Sequence, residues 1–280
     1  MPGLTDKEEH LRRLLRPMGR VTVAYSGGVD SSLLLWLAVD TLGAGNVLAV
    51  LGESASLPGG EQERALEQAR AWGAVVHVVA TTEMADPDFV RNGPDRCYHC
   101  KRLLIRALQE DAARHFAAPS VLLDGTNADD IGDHRPGRRA AAEAGVRTPL
   151  LDAGLTKADI RELSRRHGLP AADRPASPCL ASRLPYGTPV TAAVLRQVGA
   201  AEEQLHALGF TPVRVRHHGA LARLEVMPAE IPRAAALAAA IVEQLKPLGY
   251  TYVALDLAGF RSGSLNEVLN LPSSHPKPPT

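Results

Sequence analysis

Between Val21 and Leu150 the chain repeats one pattern, a short apolar run followed by a helix-length amphipathic segment. The runs are VTVAY (21–25), VLAVL (47–51), VVHVVA (75–80) and VLLDG (121–125), short and rich in the β-branched residues that suit a pleated surface. Helical patterns begin near Asp30, Gly60 and Lys101. Strands that alternate with helices pair in parallel, because each helix carries the chain back across the sheet. The rhythm therefore predicts an α/β fold with a doubly wound parallel sheet, whose ligands gather at the carboxyl ends of the strands. A further helix is expected from Lys157 to His167, with Gly168 as its stop.

The stretch Ala171 to Pro189 (AADRPASPCLASRLPYGTP) is rich in Pro, Ser and Ala, has no period, and reads as an ordered active-site loop and hinge. Beyond it the rhythm changes. A helix over Ala192 to Leu208 precedes two strands, VRVRHHG and LARLEV, joined by a turn at Gly219. A helix near Ala229 to Leu245 and a last strand, TYVALDL, complete a small α+β domain with an expected antiparallel sheet. The expected domains are 1–170, a hinge at 171–190, a second domain at 191–271 and a disordered tail at 272–280.

After the first strand comes SGGVDSS, Ser26 to Ser32. Gly27 and Gly28 allow backbone angles that turn amide N–H groups toward one anion, and Ser26, Ser31 and Ser32 add hydroxyls. The helix starting near Asp30 aims its positive end at the same place. The loop lacks the Gly-Lys-Ser/Thr ending of kinase and ATPase phosphate loops. A tight turn without a ligand would use the same glycines.

The chain has three cysteines. Cys97 and Cys100 stand in RCYHCK just before an expected amphipathic helix, and Cys179 stands in SPCLASRLPYG. A pair three residues apart can bind one ion or form a disulfide. Structural zinc needs four ligands, which His99 or His115 could complete. Three thiolates can also hold a 4Fe–4S cluster with one iron open. Arg183, four residues after Cys179, is placed to favour a thiolate there.

SGGVDS resembles the PP-loop of the ATP pyrophosphatases, which cut ATP between its α and β phosphates. That resemblance implies a cradle for departing pyrophosphate, with Asp30 helping to hold Mg²⁺. DGTNADD, with Gly125 and Asn127, resembles the superfamily's second nucleotide-side loop, although Asn127 and the aspartates would also serve as an N-cap. Together with PCLASRLPYG, RVRHHGALARLEV and LDLAGFRSGSLNEVL, these motifs are similar to the LarE family of sulfur transferases, from about Val21 to Leu269. The resemblance implies that pyridinium-3,5-biscarboxylic acid mononucleotide is adenylated with ATP and converted to thiocarboxylates. It makes Cys179 the sulfur-bearing nucleophile, Arg214 and Arg216 phosphate contacts with Arg261 nearby, and Glu202 and Glu225 acidic positions associated with a metal. Cys97 and Cys100 match the members in which a cluster carries sulfide, rather than those in which a single cysteine gives up its own sulfur. It also implies a homo-oligomer.

Alternation in VRVRHH and LARLEV gives a core face and a polar face bearing three arginines and a glutamate. A solvated face with cross-strand salt bridges would look the same as a phosphate site at this level. Lysine plus arginine and aspartate plus glutamate both number 31, and aromatics are 4%, so neither a global field nor a stacking platform favours nucleic acid. This weighs against a tRNA thiolase, the first rival reading. HRPGRRAAAEAGVR is the one compact basic cluster, and its Arg135, Arg138 and Arg139 suit a helix start or nucleotide-side contacts. An ammonia-dependent NAD synthetase would leave the cysteines unexplained, and a non-catalytic nucleotide or iron–sulfur sensor is the third rival. No apolar run reaches membrane-spanning length and MPGLTDKEEH has no signal-peptide pattern, so a cytoplasmic protein is expected.

Overall fold

The structure, a computed structural model, describes residues 3–132, 136–175, 177–261 and 264–269. The tail expected at 272–280 and Arg135 lie outside the described residues. In chain order the helices are α1 (Leu4–Leu15), α2 (Val29–Leu42), α3 (Glu61–Ala71), α4 (Pro87–Val90), α5 (Arg96–His115), α6 (Pro136–Glu143), α7 (Pro149–Asp152), α8 (Lys157–Arg166), α9 (Ala192–Ala207), α10 (Ile231–Ala236) and α11 (Ala238–Leu245). The strands are β1 (Val21–Ala24), β2 (Val47–Glu53), β3 (Val75–Ala80), β4 (Val121–Leu123), β5 (Val213–His218), β6 (Leu221–Val226) and β7 (Tyr252–Leu255). The chain divides into two compact units. One comprises Met1–Ser54, Gly60–Glu83 and Asp95–Ser177, the other Ala55–Gly59, Met84–Pro94 and Pro178–Thr280.

The first unit is the expected parallel α/β layer structure. Its four strands run in the order β3-β2-β1-β4, all parallel. Successive side chains of a strand point to opposite faces, and both faces are covered. Leu48, Val50 and Leu122 pack with Ile105, Leu108 and Ala112 of α5 and Ala141 of α6. Val21 and Val23, fully buried, lie on the opposite side, where α2 packs on the sheet and α1 and α8 pack on α2. From β1 the chain steps outward to β2 and β3, then returns to β4 on the other flank of β1. The strand order thus reverses between β1 and β4, and their carboxyl ends leave a crevice for a ligand.

The helix carrying the cysteine pair begins at Arg96, not near Lys101, so Cys97 and Cys100 lie inside its first turns rather than before it. Nothing between Asp95 and Lys101 breaks a helix. The cysteine spacing invites a loop reading, but the residues between are compatible with helical geometry.

In the second unit β5 and β6 form an antiparallel hairpin whose turn uses Gly219 at φ +63°. β7, however, pairs with β6 in parallel, so the sheet is mixed rather than antiparallel. The connection from β6 to β7 runs through α10 and α11, long enough to return the chain to the end from which β6 started. The helix expected over Ala229 to Leu245 is broken into a 3₁₀ turn at Pro228–Glu230, then α10 and α11. Pro232 has no N–H to donate and is accommodated in the first turn of α10. The core joins Ala201 and Leu205 of α9 to Val213, Val215, Leu224 and Val226 of the hairpin and to Ile241 and Leu245 of α11.

Candidate functional site

In the first unit the turn after β1 is built around one strained position. Gly27 has φ +72°, and a Cβ there would stand 2.7 Å from the Ala65 Cβ of α3, so glycine is required twice over. Gly28, extended, is the N-cap of α2 and offers no side chain to the first amides of that helix. Those donors therefore remain open to an external anion. Ser31 braces the turn: its Oγ donates to the Gly28 carbonyl oxygen (3.2 Å), accepts from Ser26 N (3.2 Å), and lies 3.1 Å from Ser26 Oγ.

The second loop closes on the first. A Cβ on Gly125 would lie 3.0 Å from both Asp30 Cβ and Ser31 N, so the chain passes there only because no side chain intervenes. Asp124 Oδ1 accepts from Thr126 N (3.0 Å), Asp130 Oδ2 from Asn127 N (3.0 Å), and Asn127 Oδ1 from Asp129 N (3.0 Å). With its own backbone donors satisfied, Asn127 donates from Nδ2 to Asp30 Oδ1 at 3.2 Å. Asp30 also forms an ion pair with Lys157 at the start of α8.

Between these loops lies a pocket of about 260 Å³. Ser26, Gly28, Asp30, Ser31 and Gly125, all expected from the sequence, line it. Gly27 and Ser32 stand behind the lining, the latter fully buried, and Asn127 acts through Asp30. Leu104 and Leu108 of α5 form an apolar wall opposite, and Lys101, Asp124 and Asp130 add charge. Lys101 Nζ lies 3.3 Å from Asp124 Oδ2. Lys101 and Lys157 escape notice in the sequence because each comes from a helix remote from the glycine loop; the spacing Lys101, Leu104, Leu108 on one helical face is the only local signal.

Cys97 and Cys100 occupy the amino-terminal end of that same α5 stripe. At 1.5 Å per residue Cys97 is only ~10 Å along the axis from Leu104 of the pocket wall. Cys97 is exposed and Cys100 half-buried, neither in a disulfide. The buried Arg96 guanidinium approaches Cys97 Sγ at 3.9 Å. His99 engages Asp95 through Nε2 at 3.1 Å. His115 lies at the far end of the helix, about 22 Å from Cys100 along its axis, so it does not complete a zinc site with the pair. In the basic cluster, Arg138 donates to the Asp130 carbonyl oxygen (2.8 Å) and Arg139 stacks on Tyr98 (4.2 Å).

In the second unit Cys179, half-buried, precedes a 3₁₀ turn at Leu180–Arg183. Arg183 does not pair with the thiol. Its guanidinium grips Glu202 of α9 through two bonds of 2.8 Å and donates to the carbonyl oxygens of Pro178 (2.6 Å) and Cys179 (3.2 Å). Glu202 Oε1 also accepts from Val215 N at 2.9 Å. Arg216 repeats the device: it pairs with Glu225 at 2.9 and 2.8 Å and donates to Ser182 O (2.7 Å) and Ser264 Oγ (2.6 Å). Two buried ion pairs thus fasten the backbone on either side of Cys179.

The face expected to be open and polar is therefore largely inside the unit, with Arg216 and Glu225 at 2% and 0% exposure. A metal at Glu202 or Glu225 would have to displace a guanidinium. Arg214 differs from its neighbours. Among the described contacts it has no carboxylate partner, and it stacks on Phe260 at 4.5 Å. Burial, then repulsion from Arg216 and Arg183, pushes its pKa down to about 10. Arg261 lies between Asp256 (3.6 Å) and Glu267 (3.2 Å).

No family profile matches the chain. An uncharacterized protein of Synechocystis sp. is 42% identical over 268 residues, 95% of this chain and 99% of its own length. The pyridinium-3,5-bisthiocarboxylic acid mononucleotide synthase of Lactiplantibacillus plantarum is 40% identical over 269 residues, 96% of this chain and 97% of that protein. The NH(3)-dependent NAD(+) synthetase of Methanopyrus kandleri is 41% identical, but over 78 residues that cover 27% of this chain and 28% of its own. A likeness confined to about a quarter of the chain argues for a shared nucleotide loop, and one that runs nearly end to end argues for shared chemistry. The chain accordingly belongs to the LarE family of pyridinium-3,5-bisthiocarboxylic acid mononucleotide synthases, within the PP-loop superfamily.

Proposed function

We propose that this chain activates the carboxylates of pyridinium-3,5-biscarboxylic acid mononucleotide with ATP and replaces an oxygen of each with sulfur. The observation that carries the reading is the lysine-free anion loop at the head of α2, joined to an acid–lysine pair, Asp30 and Lys157, in a member of this family. In the first step a substrate carboxylate oxygen attacks the α-phosphorus, the bond to the bridging oxygen breaks, and pyrophosphate leaves with its electron pair. The loop amides and Lys157 offset the charge of that leaving group. A loop built to release pyrophosphate needs no lysine of its own to follow a transferred γ-phosphate.

The acyl-adenylate is then open to sulfur: a sulfur nucleophile attacks the acyl carbon and AMP departs. Oxide is too poor a leaving group for this exchange, and a thiolate is the nucleophile available near neutral pH. Arg183 and Arg216 serve by holding the Cys179 backbone, and Arg214 by binding the substrate phosphate. Arg216 has its donors committed inside the protein, which supports Arg214 as the direct contact and Arg216 as its strut.

Carboxylates of Asp30, Asp124 and Asp130 around the pocket suit Mg²⁺ bound to polyphosphate. Three thiols in one chain, two of them three residues apart on one helix, suit a 4Fe–4S cluster with Cys97, Cys100 and Cys179 as ligands. Such a cluster would supply sulfide repeatedly and spare Cys179 its own sulfur. Exposed Tyr252 of the edge strand β7 and Leu257 just after it fit assembly into a homo-oligomer. A cytoplasmic setting agrees with the thiols, and no helix among the described residues is long and apolar enough to cross a membrane.

The test is anaerobic incubation with ATP and the pyridinium biscarboxylate. AMP, pyrophosphate and a product heavier by the exchange of oxygen for sulfur are expected. ADP, or nucleotide cleavage without sulfur in the product, would refute the reading. Mass spectrometry of the protein after turnover separates the sulfur sources, since loss of sulfur at Cys179 excludes a purely cluster-borne supply.

A further inference from the structure

An anion-binding turn works only if its peptide planes are held in one orientation, and Gly27 is the member most free to rotate. Its carbonyl oxygen accepts from Arg174 Nη1 at 3.3 Å. The other terminal nitrogen of Arg174 pairs with Glu61 Oε2, the first residue of α3, at 2.5 Å. One turn later on α3, Ala65 occupies the space where a Gly27 side chain would be. In a trans peptide the C=O and the following N–H point to opposite sides. Drawing the Gly27 oxygen toward Arg174 therefore turns the Gly28 N–H the other way, where it donates to Ser26 Oγ at 3.4 Å, a long bond that an anion beside Ser26 can share. Ser26 and Gly28 line the pocket, whereas Gly27 and Arg174 do not.

Arg174 is itself anchored. Arg161 of α8 donates to the carbonyl oxygens of Ala172 (2.6 Å) and Arg174 (2.9 Å), so the backbone from which the side chain springs is fixed. The same helix begins at Lys157, which pairs with Asp30 on the pocket side. One helix thus supports the turn from both directions, from the front through Lys157 and from behind through Arg161 and Arg174.

We propose that Arg174 is a positioning residue of the pyrophosphate site: it fixes the Gly27–Gly28 peptide so that the Gly28 N–H faces the anion, without touching the anion itself. The proposal rests on the reading that this loop binds the ATP polyphosphate. Titration calorimetry with inorganic pyrophosphate and with Mg-ATP, run on the whole chain, tests both. In Arg174→Ala, pyrophosphate binding should weaken by about tenfold, the size of one hydrogen bond to a charged group. The KM for ATP should rise alike and kcat should fall by a smaller factor, because the amide that binds pyrophosphate also faces it as it leaves, with a melting temperature within a few degrees. Arg174→Lys, which keeps one donor, should recover part of the affinity, and Glu61→Gln, which loosens the guanidinium, should cost a smaller factor.

Wild-type protein that binds pyrophosphate no better than Arg174→Ala would overturn the proposal and leave the loop assignment standing. Wild-type protein that binds neither pyrophosphate nor ATP would instead remove the assignment itself. A loss that merely tracks the folded fraction, with no change in KM for the molecules that remain folded, would reduce Arg174 to a stabilising contact and also overturn it. Should Arg174→Ala fail to fold, an unchanged ATP KM in Glu61→Gln and Arg174→Lys alike would do the same.

Discussion

Replacing Glu202 with alanine probes the buried frame around Cys179 most directly. The carboxylate is 7% exposed and receives three hydrogen bonds, two from Arg183 at 2.8 Å and one from Val215 N at 2.9 Å. Its removal leaves the Arg183 guanidinium, 5% exposed, without an anion, and strands a buried backbone N–H. Breaking a buried pair from one side costs about 3–5 kcal/mol, and the orphaned amide pushes the loss to the upper end. For a chain of this length that corresponds to a fall in melting temperature of about 5–9 °C. The double variant Arg183→Met with Glu202→Ala removes both charges and should regain about 2 kcal/mol of that loss, read from denaturant midpoints as a double-mutant cycle with the two single variants. It also removes the guanidinium that holds the Pro178 and Cys179 carbonyls. Alkylation of Cys179, followed by peptide mass, should therefore stay fast and turnover slow even where stability has returned. A single-variant loss below about 1 kcal/mol, as for an exposed pair, would refute the reasoning. So would a double variant that restores wild-type alkylation kinetics, because Arg183 would then have no part in holding the loop.

Two further outcomes follow from the geometry. Gly27→Ala combines a left-handed φ of +72° with a 2.7 Å approach to Ala65 and should abolish pyrophosphate binding while the second unit keeps its stability; Ala65→Gly added to it should relieve the clash but not the backbone strain, and full recovery would contradict this account. His217, buried against Tyr250 at 3.2 Å, has its pKa lowered from 6.5, mainly by burial and then by His218. The unfolded chain binds that proton first, so stability should fall as pH drops below about 6.5 and level off once the folded form also protonates. Denaturant midpoints between pH 7.5 and 5 in wild type and His217→Gln check this, and equal slopes in the two would exclude His217 as the source.

The first unit was readable in the sequence because its decisive signals are local. Apolar runs of strand length, helix-length spacers and a glycine turn after the first run fix a parallel sheet through rules that act over a few residues at a time. The four strand positions and the place of the glycine turn therefore agree with the structure closely. The cysteine pair was legible as a pair but not as part of a helix, since the spacing suits a loop and a helical turn equally.

What the sequence could not express is which charges meet. Alternation in VRVRHH puts Arg214 and Arg216 on one face and stops there. Only the neighbouring strand, the turn after Cys179 and Ser264 hold Arg216 on Glu225, while Arg214 stacks on Phe260 with no carboxylate among its described contacts. Likewise Arg183 stands four residues from Cys179 and yet serves Glu202, because a buried guanidinium goes to the anion that the fold brings to it. Arg174 and Lys157 reach the glycine loop from well over a hundred residues away. Backbone preference is set by neighbours in the chain, whereas ion pairing is set by neighbours in space, and the second becomes known only when the chain has closed on itself.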